Sequence, residues 1–133
     1  MARQTIDTSI LVRLFAQDDD VQFATAAGLF SSSDVVLLPT VLLETEWVLR
    51  SRYGFDRYRI HTLFNAVLDA RNVFCRERQV IVLALDAYVR GMDFADALHV
   101  CLTEHGDDFI TFDRRLVRLA KQYLEGARVE LTP

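Results

Sequence analysis

VVLLPTVLLETEWVLRSRYG, residues 35–54, decides the class of this chain. Its opening run, Val35 to Leu38, is apolar at every position, as in a strand of a parallel sheet covered on both faces. Pro39 and Thr40 then turn the chain into a helix, because proline suits the first helical turn, where its missing N–H leaves no bond unmade. That helix carries Glu44 and is predicted to stop near Gly54. A buried strand followed at once by a helix is the building unit of an α/β domain.

The same alternation extends in both directions. Toward the N-terminus, TIDTSILVRLF (5–15) reads as a short strand entering a helix, with Asp7, Thr8 and Ser9 supplying N-cap chemistry. Asp18, Asp19 and Asp20 open a second helix over VQFATAAGLF (21–30), which breaks between Ser31 and Asp34. Toward the C-terminus, Asp56 opens a helix through about Ala70, NVFC (72–75) is a short strand or a connection, and residues 76–88 read as a helix closed near Gly91. FADALHVCLTEHG (94–106) is an amphipathic helix with a glycine stop, DFITFD (108–113) a strand, RRLVRLAKQYL (114–124) a basic helix and ARVEL (127–131) a last strand. The expected fold is therefore α/β, with a central, mostly parallel sheet and helices on both faces. In such sheets, sites form at the carboxyl ends of the strands.

Composition bounds the function. Half of the 133 residues are apolar, with few glycines and prolines, so one domain over 1–133 with no linker is expected. No apolar stretch approaches the roughly 18 to 20 residues that cross a bilayer, and MARQTIDTS lacks the form of a signal peptide. The expectation is a cytoplasmic protein with no membrane partner. Cys75 and Cys101 have no C-x-x-C spacing and no histidines at zinc spacing, so both are expected to be reduced and structural. The net charge of -4 denies the chain the overall basic field of a non-specific nucleic-acid binder. Arg13, Arg50, Arg52, Arg114, Arg115 and Arg118 adjoin the acidic motifs, either as solvated faces or as a phosphate-contacting rim.

Four carboxylates stand at the mouths of apolar runs: Asp7, Glu44, Asp96 and Asp113. Glu44 and Asp96 are expected in the first turns of their helices, and Asp7 and Asp113 at strand ends. Acids gathered at one sheet edge repel one another unless a cation holds them, and oxygen donors suit a hard divalent ion. Asp93 stands three residues before Asp96 and shares its face if it belongs to the first helical turn. Thr111 and Asp113, two apart, are expected on one side of a strand. Each acid alone has an ordinary structural role as a cap or a solvated helix residue; the ordered set favours a site. Glu46 is expected to face solvent, and His99 to be structural or to support the site, since histidine suits softer metals. The helix bearing Trp47 is apolar on more than one side, which points to double burial or to an interface with another chain.

On these motifs the chain resembles the PIN-domain ribonucleases, and more narrowly the VapC-type toxins of bacterial type II toxin–antitoxin pairs. IDTSILVRLF, VVLLPTVLLETEWVLRSRYGF, DFADALHV and ITFDRRL match the family's acidic motifs in order over nearly the whole chain. The resemblance implies a three-layer α/β/α PIN domain that hydrolyses RNA, leaving a 5′-phosphate. It assigns Asp7, Glu44, Asp96 and Asp113 as the catalytic, metal-binding quartet for Mg²⁺ or Mn²⁺, with Asp93 auxiliary and Thr8, Ser9 and Thr111 hydrogen-bonding to the ligands. Ser9 departs from the asparagine that many relatives carry after Asp-Thr. Implied partners are RNA, a cognate VapB-type antitoxin and a second copy in a homodimer. The alternative is a non-catalytic PIN-like module that binds RNA or a partner with its acids unused. A receiver-like phosphoacceptor domain fits less well, because the first strand offers only Asp7 and the sole lysine, Lys121, follows a helix.

Overall fold

The structure, a computed structural model, describes residues 3–132. The chain divides into two compact units, Met1–Glu77 and Arg78–Pro133. In the first, β1 (Arg3–Thr5) leads through α1 (Thr8–Ala16) and α2 (Asp20–Ser32) to β2 (Asp34–Val36), and α3 (Pro39–Tyr53) and α4 (Arg57–Leu68) lead on to β3 (Val73–Phe74). The three strands form one parallel sheet in the order β1-β2-β3, with Gln4 opposite Val35 and Val35 opposite Val73. Parallel neighbours need long crossovers, and each helix pair supplies one.

Local chemistry sets the helix limits. Asp19 and Asp56 accept hydrogen bonds from the backbone N–H groups of Gln22 and Arg59, capping α2 and α4. Leu38 is extended because the following proline excludes helical backbone there, and Pro39 starts α3. Gly54 ends α3 at φ +69, a conformation with little penalty only for glycine. Beneath the helices lie Leu11, Val35, Leu37, Leu42, Leu49, Ile60 and Phe64, almost wholly removed from solvent. Full burial of one such side chain stabilises by roughly 1.5–3 kcal/mol. Phe15 stacks on Phe64 at 5.9 Å, joining α1 to α4.

The second unit comprises α5 (Arg78–Val89), α6 (Phe94–Leu102), β4 (Phe109–Thr111), α7 (Arg114–Tyr123) and β5 (Val129–Leu131). β4 and β5 pair in parallel, with Thr111 opposite Leu131. α5 packs closely on α6, helped by fully buried Ala84 and Ala97 and by the tilted Tyr88–Phe94 pair at 5.4 Å.

Three expectations need correction. α6 ends at Leu102, with Thr103 as C-cap, so Gly106 belongs to the following turn and does not stop the helix. Asp113 lies beyond β4, so the two-residue strand spacing from Thr111 does not apply to it. Glu46 does not face solvent: it is 3% exposed, and its Oε2 accepts from Arg50 Nε at 2.8 Å. Among the described residues, no helix is long and apolar enough to cross a membrane.

Candidate functional site

The acids fall into two groups, one in each unit. In the first, Asp7 is the N-cap of α1, and its Oδ1 accepts from the Thr8 backbone N–H at 2.7 Å. Ser9 Oγ donates to Asp7 Oδ2 at 3.3 Å. Thr8 is buried, and its hydroxyl donates across to Glu44 Oε1 on α3. A single threonine thus fixes Asp7 through its backbone and Glu44 through its side chain. Glu44 is the sixth residue of α3, one turn deeper than expected, because the helix starts at Pro39 itself. From there it still meets Thr8, so the displacement along the helix does not separate it from Asp7's neighbour.

In the second unit, Asp93 caps α6 by accepting from the Asp96 backbone N–H at 3.1 Å. Asp96 therefore sits in the first turn, as expected. Asp113 caps α7, accepting from Leu116 N–H at 3.0 Å, and its own N–H donates to Thr111 Oγ1 at 3.0 Å. Burial pushes the Asp96 carboxyl above the ordinary carboxylate range; the charges of Asp93 and Asp113 push it the same way, while His99 opposes them. Asp93, Asp96 and Asp113 therefore share one electrostatic environment, with His99 at its margin.

The structural roles first weighed against a site are all real here. Asp7, Asp93 and Asp113 do cap helices. Capping uses one carboxylate oxygen as an acceptor and leaves the other lone pairs for a ligand. Among the described residues, no group of three or more His, Cys, Asp or Glu side chains stands in position to hold a metal ion. The donor chemistry nonetheless suits magnesium or manganese: carboxylate oxygens with hydroxyls behind them, and no thiolate. Magnesium keeps several of its waters and is commonly held by only one or two carboxylates together with substrate phosphates.

The family comparison matches the PIN domain over residues 5–122, crossing the boundary between the two units. The chain belongs to the PIN domain family. Its fold class is thus the three-layer α/β/α type with parallel strands expected from the sequence. PIN domains are generally nucleases, which bind RNA and typically use divalent metals. Comparison with curated proteins and with solved structures found no match.

The arginines of this PIN domain separate clearly. Arg13 is committed within the fold: its Nη1 donates to Asp18 at 3.0 Å and to the Tyr53 hydroxyl at 3.2 Å. Tyr53 in turn donates to Asp18, which with Arg13 holds that carboxyl below its usual range. Arg50 pairs with Glu46, and Arg52 lies over the Trp47 ring at 5.9 Å. Arg114, Arg115 and Arg118 are exposed, and none makes an ion pair with another described residue. Cys75 and Cys101 form no disulfide among the described residues, and burial pushes the Cys101 thiol up to about 11. A cavity of about 640 Å³ lies at the far ends of α6 and α7, lined by Val100, Cys101, Glu104 and Tyr123 among others, and includes none of the candidate acids.

Sequence reasoning named Thr8 as a hydrogen-bonding neighbour of the acids but not its partner, because the Thr8–Glu44 link depends on how α1 and α3 lie against each other. It missed one feature altogether. Phe112 stands bare beside Asp113 with 80% of its surface exposed; its place between Thr111 and Asp113 in ITFD was the available signal.

Proposed function

We propose that this PIN domain is a metal-dependent endoribonuclease, the toxin of a VapC-type toxin–antitoxin pair, whose catalytic acids are Asp7, Glu44, Asp96 and Asp113. The observation that carries the reading is Asp96. Its charge is opposed by burial and by two neighbouring carboxylates, and no arginine or lysine among the described residues pairs with it. Such repulsion persists in a fold where a ligand relieves it.

Magnesium or manganese, when bound, supplies Lewis acidity that lowers the pKa of a water and neutralises charge developing on the phosphodiester. The chain's own groups do the positioning. Asp96, Asp113 and Asp7 are the metal-holding carboxylates, with Asp93 auxiliary. The Asp93 cap holds the first turn of α6, and Thr111 fixes the backbone of Asp113. Thr8 occupies Glu44 Oε1, leaving Oε2 to orient a water or take its proton. The RNA strand is then cut to leave a 5′-phosphate. The whole chain, 1–133, acts as a single PIN domain in the cytoplasm. Trp47, half exposed on α3, supports a homodimer or an antitoxin-binding face.

Purified protein with Mg²⁺ or Mn²⁺ is expected to cut RNA, and Asp96→Asn, equally folded, to lose that activity. A variant that cuts as well as the parent would end the assignment. The toxin role is tested separately: growth arrest on expression should be relieved by the product of the adjoining gene.

A further inference from the structure

Phe112 is a full aromatic ring left in water next to an acid of the proposed site. Leaving so large an apolar surface in water is unfavourable, yet no described residue covers most of it. The two residues after Asp113, Arg114 and Arg115, are cations in the first turn of α7, where the helix dipole disfavours positive charge. Both are exposed and without an ion-pair partner among the described residues. Arg118 follows one turn on, also bare, and α7 carries Arg114, Arg115, Arg118 and Lys121 with no acid, in a chain of net charge -4. One local arrangement thus sets an uncovered ring and unpaired cations against both the hydrophobic effect and the dipole.

We propose that this patch is the substrate track: a base of single-stranded RNA stacks on Phe112 while Arg114, Arg115 and Arg118 contact the phosphates that follow. The inference rests on the nuclease reading and names the residues that would hold its substrate. A ring in the open can receive a base only if that base is free of a partner, so duplex RNA is excluded from this contact. Stacking tolerates every base, since each has a π-face. Phosphate contacts supply affinity without sequence choice. Charge complementarity favours RNA over a protein partner for this face, because the cations beside the ring have no acids to satisfy them.

The test uses the full chain carrying Asp96→Asn, with Mg²⁺, so that bound RNA is not consumed. The probes are a short unstructured RNA oligonucleotide and the same sequence annealed into a duplex. Phe112→Ala should weaken single-strand binding by about 5- to 150-fold, the range measured for removing a stacking ring, and leave duplex binding unchanged. Phe112→Tyr should restore it. Arg114→Ala and Arg115→Ala should each flatten the dependence of log affinity on log salt by about 0.7. Unchanged single-strand affinity in Phe112→Ala overturns the inference, as does an equal loss for both probes. So does a change of oligomeric state with RNA affinity intact, which assigns Phe112 and its exposed neighbour Ile110 to a protein interface. If the parent cuts no RNA but its single-strand binding depends on Phe112, the nuclease reading fails while Phe112 keeps its role in holding the strand, so the two failures are distinguishable.

Discussion

Thr8 shows how one side chain can set two others. It is 8% exposed, its N–H is taken by Asp7 and its hydroxyl by Glu44, so a shape-preserving Thr8→Val removes only the second bond. The loss in stability should be about 1 kcal/mol, the net worth of one such bond. RNA cleavage should fall by more than that loss explains, because Glu44 is no longer aimed; equal activity in the two proteins would remove the Thr8–Glu44 bond from the mechanism. Asp96 makes the opposite case. Its pKa in the folded state is raised, so its ionisation opposes folding once the pH exceeds the unfolded value near 3.8. Without metal, Asp96→Asn should therefore melt higher than the parent at neutral pH, and the gap should close as the pH falls and the parent's carboxyl protonates. Adding Mn²⁺ should raise the melting temperature of the parent and not of the variant. A third expectation concerns Cys101. With its thiol pushed up to about 11, roughly one molecule in a thousand carries a thiolate at pH 8. A thiol reagent should label it slowly in the native state and fast in denaturant, as mass mapping of the labelled peptide will show.

On α3 two glutamates, two residues apart, have opposite environments. Glu44 is exposed and bonded to Thr8, whereas Glu46 is buried and paired with Arg50. Glu44→Gln keeps an acceptor for Thr8 and should change stability by less than about 0.5 kcal/mol while abolishing cleavage. Glu46→Ala should destabilise by about 2 kcal/mol, discounted from the full worth of a buried pair because Arg50 is itself half exposed, and should leave the metal response of the folded protein intact. Urea melts and cleavage rates of the two variants separate these roles. The same helix marks the limit of what periodicity can read. Several helix starts were legible, because Asp7, Asp19 and Asp56 cap their helices in the manner their positions announce, whereas Asp93 stands before α6 as its cap and not within its first turn. The buried face of α3 was not, since its apolar residues surround the axis and only the packing against α1 and α4 shows which side is covered. A carboxylate on such a helix reads as solvated by habit, and the arginine four residues later was the signal that it had a partner. Likewise the end of α6 was misjudged, because glycine is a frequent stop but threonine with an extended backbone ended it first.

At the scale of the whole molecule, the proposed single domain joins two compact units, 1–77 and 78–133, and the PIN family match runs across their boundary. Two of the four proposed acids lie in each unit, so a metal-induced melting shift tests whether the acids of both are needed. A ligand that binds only the folded chain stabilises it by about 2.7 kcal/mol at a hundred times its Kd. If both units fold as one PIN domain, calorimetry should give one transition whose calorimetric and van't Hoff enthalpies agree, and saturating Mn²⁺ should move that entire transition upward. Asp7→Asn in the first unit and Asp113→Asn in the second should each remove the shift. Two transitions, with Mn²⁺ moving only the one assigned to residues 78–133, would confine metal binding to Asp93, Asp96 and Asp113 and take Asp7 and Glu44 out of the site. The net charge of -4 adds a control at the same scale. Magnesium screens the chain's acidic surface from RNA, so a metal effect on RNA binding alone proves little, whereas a melting shift measured without RNA reports the carboxylates directly.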